Sequence, residues 1–178
     1  IDDVVMTALD PLVTDIDLTA ALPIQVARGS TVSDDNGARQ STLLIPQGVQ
    51  ATMVLPDGST QALTTLHIRS TEYTVGDRGP AAMPGALPPQ SGYTYAVELS
   101  VDEALAVGAT DVRFTQPLYH YVENFRNFPV GMAVPNGYYD RARATWVPAK
   151  DGRVIRIVSI ANGLAELDTN GDNVADNN

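Results

Sequence analysis

The chain has no cysteine and little histidine, two residues on which much covalent and transition-metal chemistry depends. Without cysteine it forms neither a disulfide nor a thiolate metal site. Only two histidines are present, and no Gly-x-Ser-x-Gly, phosphate-loop or His-Glu-x-x-His motif occurs. Both histidines, His67 and His120, lie in strand-like segments, which favours structural roles. The sequence therefore predicts a protein that is not an enzyme.

Positive charge and long apolar runs are also scarce. The chain has 11 Lys and Arg against 21 Asp and Glu, giving a formal net charge of −10. This charge repels phosphate backbones and anionic lipids, so nucleic acid and membranes are not expected partners, whereas multivalent cations are favoured. No apolar run approaches the roughly 20 residues of a membrane helix. The sequence contains no signal-peptide pattern, and because it begins abruptly at Ile1 we expect it to be a piece of a longer protein.

Alternating apolar and polar residues are abundant in the central stretch 41–70. Val49–Leu55 and Ala62–Arg69 both follow the two-residue period of a half-buried strand. The turns Pro46–Gly48 and Pro56–Gly58 punctuate the stretch, because proline presets φ and glycine accepts a positive φ. The pattern predicts a three-stranded antiparallel meander with one face buried.

Strand signals recur at roughly ten-residue spacing along the rest of the chain. Tyr93–Leu99 and Arg153–Ile160 are clear examples, and Asn-Gly and Asp-Gly turns separate others. A capping-box pattern at Ser100–Glu103 predicts one helical turn that ends near Gly108. The predicted fold class is all-β: an antiparallel β-sandwich of short strands, as one body or two small subdomains, with at most one or two short helical turns.

Four segments make up the predicted domain organisation. They are a lead-in segment (1–23), a β-sandwich core (24–125), a C-terminal β-hairpin extension or small subdomain (126–165), and an acidic loop with an exit linker (166–178). A proline- and glycine-rich loop at 73–92 is expected to cover a sheet edge.

The end of the chain carries the one chemical motif. Oxygen-bearing residues occupy relative positions 1, 3, 5 and 9 of a calcium-type loop, with a main-chain carbonyl at position 7. The predicted calcium ligands are Asp168, Asn170, Asp172, Val174 and Asp176. Asn173 replaces the usual glycine at position 6, although asparagine tolerates the left-handed conformation. The loop resembles the aspartate-rich loops of secreted β-proteins and dockerin-like modules. The alternative is a flexible acidic tail.

An aromatic cluster offers a second candidate site. Trp146, Tyr138 and Tyr139 lie close together in the sequence, and such residues form carbohydrate-binding platforms when exposed. The alternative is that they form the core of the last sheet. The two interpretations differ in whether Trp146 is exposed or buried.

Several short motifs together resemble a known region of large bacterial proteins. The motifs are Ile45–Gly48, Glu72–Gly76, Leu87–Pro89, Tyr93–Tyr95, Val134–Asp140 and Trp146–Pro148. They resemble the region upstream of the repeat shell in bacterial RHS/YD-repeat proteins. Their order, with Phe114–Leu118, is also similar to the β-sandwich shared by zonula occludens proteins, netrin receptors and ankyrins. No YD repeat occurs in this chain.

The resemblance implies a non-catalytic β module in a bacterial protein that is secreted or displayed on the cell surface. Its partners would be neighbouring domains of the same polypeptide or a separate protein, and any toxic activity would lie elsewhere. Self-cleavage, known in some sandwich relatives, is not expected, because His67 is followed by Ile68 and Arg69 rather than Phe and Ser.

Overall fold

The computed structural model describes residues 5–76, 78–87 and 92–176. Parts of the predicted lead-in, of the proline-rich loop and of the exit linker lie outside these ranges. The chain divides into two compact units, one formed by residues 1–83 with 93–123 and the other by 84–92 with 124–178. Both consist mainly of short antiparallel strands, and helix is limited to two short turns in the described residues. The all-β prediction is confirmed.

The first unit contains eleven of the described strands. They are β1 (Thr14–Asp17), β2 (Ile24–Arg28), β3 (Val32–Asp34), β4 (Gly37–Arg39), β5 (Thr42–Pro46), β6 (Ala51–Val54), β7 (Thr60–Leu63), β8 (Thr65–Glu72), β9 (Val97–Val101), β10 (Asp111–Phe114) and β11 (Tyr119–Tyr121). A 3-10 turn spans Pro80–Ala82, and the helix α1 spans Asp102–Ala106.

Three three-stranded sheets build the first unit, in the orders β1-β8-β9, β10-β6-β7 and β11-β5-β2, and β3 pairs with β4 in a hairpin. The alternation seen in the sequence places one face of each central strand in a shared core. The most deeply buried apolar side chains are Ile16, Ala27, Ile45, Val49, Ala51 and Leu66.

The predicted meander within 41–70 is wrong in its pairing. Only β6 and β7 pair with each other, whereas β5 and β8 belong to two different sheets. The chain bends at Thr64, and both Leu63 and Leu66 are buried, so the two-residue alternation is broken there. The local pattern identified the strands, but the change of sheet at Thr64 depends on contacts with distant strands.

The predicted helical turn is present, but its expected cap is not. Helix α1 begins at Asp102, one residue after the N-cap Val101, and Gly108 follows its end with a φ of +65°. Ser100 does not cap it, because its buried hydroxyl has no hydrogen-bond partner in the described part of the chain. Glu103 instead accepts a hydrogen bond from the main-chain N–H of His67 at 3.1 Å.

The second unit contains six described strands in three two-stranded sheets. They are β12 (Ala133–Val134), β13 (Gly137–Asp140), β14 (Thr145–Pro148), β15 (Gly152–Arg153), β16 (Arg156–Ala161) and β17 (Leu164–Asp168). The pairs are β12 with β15, β13 with β14 and β16 with β17. The turn before β13 therefore does not form a hairpin, since its two flanking strands pair elsewhere.

Candidate functional site

The acidic loop follows β17 directly and is organised around the carboxylate of Asp168. This side chain is fully buried, with a relative exposure of 0 %. Its Oδ1 accepts main-chain hydrogen bonds from Asn170 at 3.1 Å and Gly171 at 2.6 Å, and its Oδ2 accepts one from Asn173 at 3.0 Å. Three convergent N–H donors thus hold the loop around a buried negative charge.

The hydrogen bonds also keep this buried group ionised. Burial alone would raise the pKa of Asp168, but the N–H groups of Gly171, Asn173 and Asn170, with the charge of Arg156, outweigh burial and lower it. Asp168 therefore carries a full negative charge at neutral pH, inside a turn that the charge itself organises.

The middle of the loop repeats the same type of local bond. Asn170 Oδ1 accepts a hydrogen bond from the N–H of Asp172 at 2.9 Å, and Asp172 Oδ1 accepts one from Val174 at 2.8 Å. Gly171 and Asn173 have φ values of +93° and +65°. Asn173 thus adopts the left-handed conformation that the sequence required of it at position 6.

Asp176 closes the loop at its far end. Its Oδ2 accepts bonds from the N–H and hydroxyl of Thr169 at 2.6 and 2.7 Å, and its Oδ1 accepts one from Asn170 Nδ2 at 2.9 Å. The main-chain N–H of Asp176 donates to Leu167 at 2.8 Å. Of the predicted ligands, Asp168, Asn170 and Asp176 are linked by hydrogen bonds, and Asp172 joins them through its main-chain N–H while its side chain bonds to Val174.

Two glycines allow the loop to pack closely on the segment before β12. A Cβ at Gly131 would lie 3.0 Å from the carbonyl oxygen of Asn170, and a Cβ at Gly171 would lie 3.0 Å from that of Val130. The N–H of Gly131 also donates to Val154 at 2.8 Å. The loop is therefore seated on the body of the second unit and is not a free tail at these positions.

The oxygen donor set of this loop fits calcium, which prefers hard oxygen ligands. The main chain fits as well, because the turn is formed and its position 6 is left-handed. No three acidic or histidine side chains are arranged to hold a metal ion in the described ranges. In this arrangement Asp172 and Asp176 bond to the loop itself. Both oxygens of Asp176 accept bonds from the loop, whereas Oδ2 of Asp172 accepts none from the described residues, so calcium binding would rearrange Asp176 first.

The aromatic candidates do not share one face. Tyr139 and Trp146 are opposite each other on β13 and β14, with ring centroids 5.5 Å apart in an edge-on arrangement. Both are partly buried, and Trp146 Nε1 donates to the carbonyl oxygen of Gly85 at 3.0 Å. Tyr138 precedes Tyr139 on the strand, so its ring lies on the other face, where it is exposed.

The two histidines lie in different environments. His67 contacts the carboxylates of Glu103 and Asp15, the second at 3.6 Å, and the pairing with Glu103 raises its pKa. His120 Nε2 is hydrogen-bonded to Ser41 Oγ at 2.9 Å, and desolvation lowers its pKa. The sequence did not reveal the Ser41–His120 pair, because 79 residues separate its members. Ser41 is only 3 % exposed, which leaves its hydroxyl inaccessible to a substrate.

Comparisons with protein-family models, with curated proteins and with solved structures find no match to this chain. Within the described residues, no helix is long and apolar enough to cross a membrane.

Proposed function

We propose that the chain is a non-catalytic structural β module whose C-terminal loop binds calcium. The observation that carries this proposal is the fully buried, ionised carboxylate of Asp168 at the first position of a formed loop. The residues that would hold the ion are Asp168, Asn170, Asp172, Asp176 and, through its main-chain carbonyl, Val174.

The role of the ion would be to stabilise the end of the module. The loop holds three carboxylates within nine residues, and a divalent cation would offset the repulsion between them. An ion that binds only the folded loop also stabilises the fold by mass action, more so as its free concentration rises. Calcium would thereby stiffen the last strand and the segment of chain that follows it.

The proposed setting is a large bacterial secreted or cell-surface protein of the RHS type, supported by the motifs quoted above. Neighbouring domains of the same polypeptide are the proposed partners. One feature of the first unit supports an interaction role: the outer face of the β2-β5-β11 sheet exposes several large apolar side chains, with Arg28 at one end. The exposed large apolar side chains on these strands are Ile24, Val26, Tyr119 and Tyr121, and Arg28 and His120 are exposed as well.

The titratable groups support a non-catalytic role. Ser41 is buried and hydrogen-bonded to His120, and His67 is engaged with two carboxylates of neighbouring elements. A nucleophile or base must reach a substrate atom within hydrogen-bond distance, which the burial of Ser41 prevents. Both histidines therefore serve the packing of the first unit in this proposal.

A thermal melt with added calcium and then with excess chelator tests the calcium proposal. We expect the midpoint of the wild-type chain to rise with calcium, and Asp172→Asn to lose most of this rise. Asp172 is the informative position, because its exposed side chain accepts only the Val174 N–H and its replacement by asparagine keeps that acceptor.

Asp151→Asn is the matched control, since Asp151 is an exposed acidic residue in the segment before β15. This variant should keep the full calcium effect. A wild-type midpoint that calcium does not move, or an equal rise in Asp172→Asn, would contradict the proposal.

A further inference from the structure

A surface depression in the second unit lies beside the acidic loop. Its volume is about 460 Å³, within the range of small-ligand sites. It lies between the segment that precedes β12 and the start of β16. The side chains that matter for its chemistry are Asn124, Asn127, Phe128, Ile155 and Arg156.

One rim of the depression is fixed by a compact turn. Asn124 uses both ends of its amide: Oδ1 accepts from the N–H of Phe128 at 2.9 Å, and Nδ2 donates to the carbonyl of Phe128 at 2.8 Å. Asn127 within this turn has a φ of +54°. The turn presents the half-buried ring of Phe128 and an exposed Asn127 side chain with no hydrogen-bond partner in the part of the chain that the structure describes.

Arg156 forms the opposite rim and, among the residues that the structure describes, supplies the only charge that lines the depression. Its guanidinium donates from Nη1 to the Asn173 side-chain oxygen, which orients the group. Within the described ranges, no carboxylate lies within salt-bridge distance of it. The charge of Arg156 also acts on the Asp168 carboxylate. A guanidinium can bind a ligand carboxylate through two parallel hydrogen bonds from its remaining N–H donors.

The charge distribution along the chain permits such a ligand at this place. The first unit holds fifteen acidic and five basic residues, whereas the second holds six of each. The second unit as a whole is electrically balanced, although three of its six acidic residues, Asp168, Asp172 and Asp176, belong to the loop beside the depression. Between Arg126 and Arg156 the basic residues outnumber the acidic ones.

We propose that this depression binds an acidic sugar of the uronate type. Arg156 would bind the carboxylate, the ring of Phe128 would contact the apolar face of the sugar, and the amide of Asn127 would bind a hydroxyl. These three groups match the three chemical parts of a uronate. The site is coupled to the acidic loop through the contact between Arg156 and Asn173, and Trp146 is not among its lining residues.

The test compares glucuronate with glucose, which differ by a carboxylate in place of a hydroxymethyl group. Each sugar is titrated into the isotope-labelled full chain, and the shifts of its backbone amides are followed by NMR. Glucuronate should shift the amides of residues 124–130 and 155–156, and glucose should bind at least about tenfold more weakly, as expected for loss of a charged hydrogen-bond partner.

Two variants make the test specific. Arg156→Gln should weaken glucuronate binding about tenfold or more, while Arg153→Gln, which removes a nearby exposed arginine outside the depression, should leave it unchanged. An unchanged amide spectrum away from the substituted position verifies that each variant folds. The absence of glucuronate shifts in the wild-type chain, equal binding of glucose, or equal binding by Arg156→Gln would overturn the proposal.

Discussion

At the scale of single residues, the first unit depends on one buried cation. Arg39 is 2 % exposed, and its guanidinium forms ion pairs with Asp34 at 2.9 Å and Glu72 at 2.7 Å. The hydrogen bond from Arg39 lowers the pKa of Asp34 to about 2. The three side chains connect the β3–β4 hairpin to the end of β8.

Removing this guanidinium should leave Glu72 buried without its partner. We expect Arg39→Gln to lower the free energy of unfolding by about 3 kcal/mol, as for other broken buried ion pairs. Arg113→Gln is the control, because Arg113 is an exposed arginine whose pairing with Asp111 should contribute at most about 0.5 kcal/mol. Urea denaturation measures both variants, and equal effects would show that the Arg39 network is not structural.

The pKa values of the two histidines should be shifted in opposite directions from the ordinary value for histidine. The pairing of His67 with Glu103 raises its pKa, so its stabilising contribution is full below about pH 6.5 and is lost as the pH rises through the folded-state pKa. Desolvation lowers the pKa of His120, so its contribution is full above about pH 6.5 and is lost as the pH falls.

An NMR titration of the two imidazole rings measures these values directly. We expect His67 to titrate above pH 6.5 and His120 below it. His67→Gln should remove the loss of stability on the alkaline side and keep the loss on the acid side. The reverse order of the two pKa values would show that the contacts with Glu103 and Ser41 do not persist in solution.

At the scale of elements, the seating of the acidic loop depends on the absence of a side chain at Gly131. Gly131 and Gly58 both have positive φ, but a Cβ at Gly58 meets open space, whereas one at Gly131 meets the main chain of Asn170. Both alanine variants should cost about 1 kcal/mol through backbone strain. Gly131→Ala should cost more, because its Cβ also displaces the loop.

The difference between the two alanine variants isolates the loop contact. Urea denaturation gives the two costs, and the amide shifts of residues 168–176 show whether the loop moves in Gly131→Ala. An equal cost for both variants with an unmoved loop would mean that the contact with Asn170 does not hold the loop in place.

Individual strands and the helical turn were predictable where residues close together in the sequence determine them. The alternation around Met53 and the helical turn before Gly108 lie where the sequence placed them. One clear signal was missed: Asn162 and Gly163, both with positive φ, form the turn between β16 and β17. An Asn-Gly pair between extended runs is a strong hairpin signal, so the sequence did contain this hairpin.

Which strands lie side by side in a sheet could not be predicted from the local sequence pattern. Strand β5 pairs with β2 and β11 rather than with its neighbour β6, and 79 residues separate Ser41 from His120. The two-residue alternation of apolar and polar residues indicates which face of a strand is buried, but it does not indicate which strand lies beside it. The predicted ligands of the acidic loop could be placed from sequence, because all of them lie within nine consecutive residues.

At the scale of the whole molecule, net charge and the proposed calcium site belong to different units. The first unit carries the entire net charge of −10, whereas the second is balanced and contains the acidic loop. Calcium bound in the loop should therefore stabilise the second unit selectively. A general effect of divalent ions on an acidic protein would instead stabilise the first unit.

Amide hydrogen exchange with calcium and with chelator separates these two outcomes. The N–H groups of Asn170, Gly171 and Asn173 donate to the buried Asp168 carboxylate, so their exchange reports directly on the closed loop. If the loop binds calcium, these amides will exchange more slowly with the ion while amides in β1, β8 and β9 stay unchanged. Unchanged exchange in the loop, or slowing confined to the first unit, would contradict calcium binding at Asp168–Asp176.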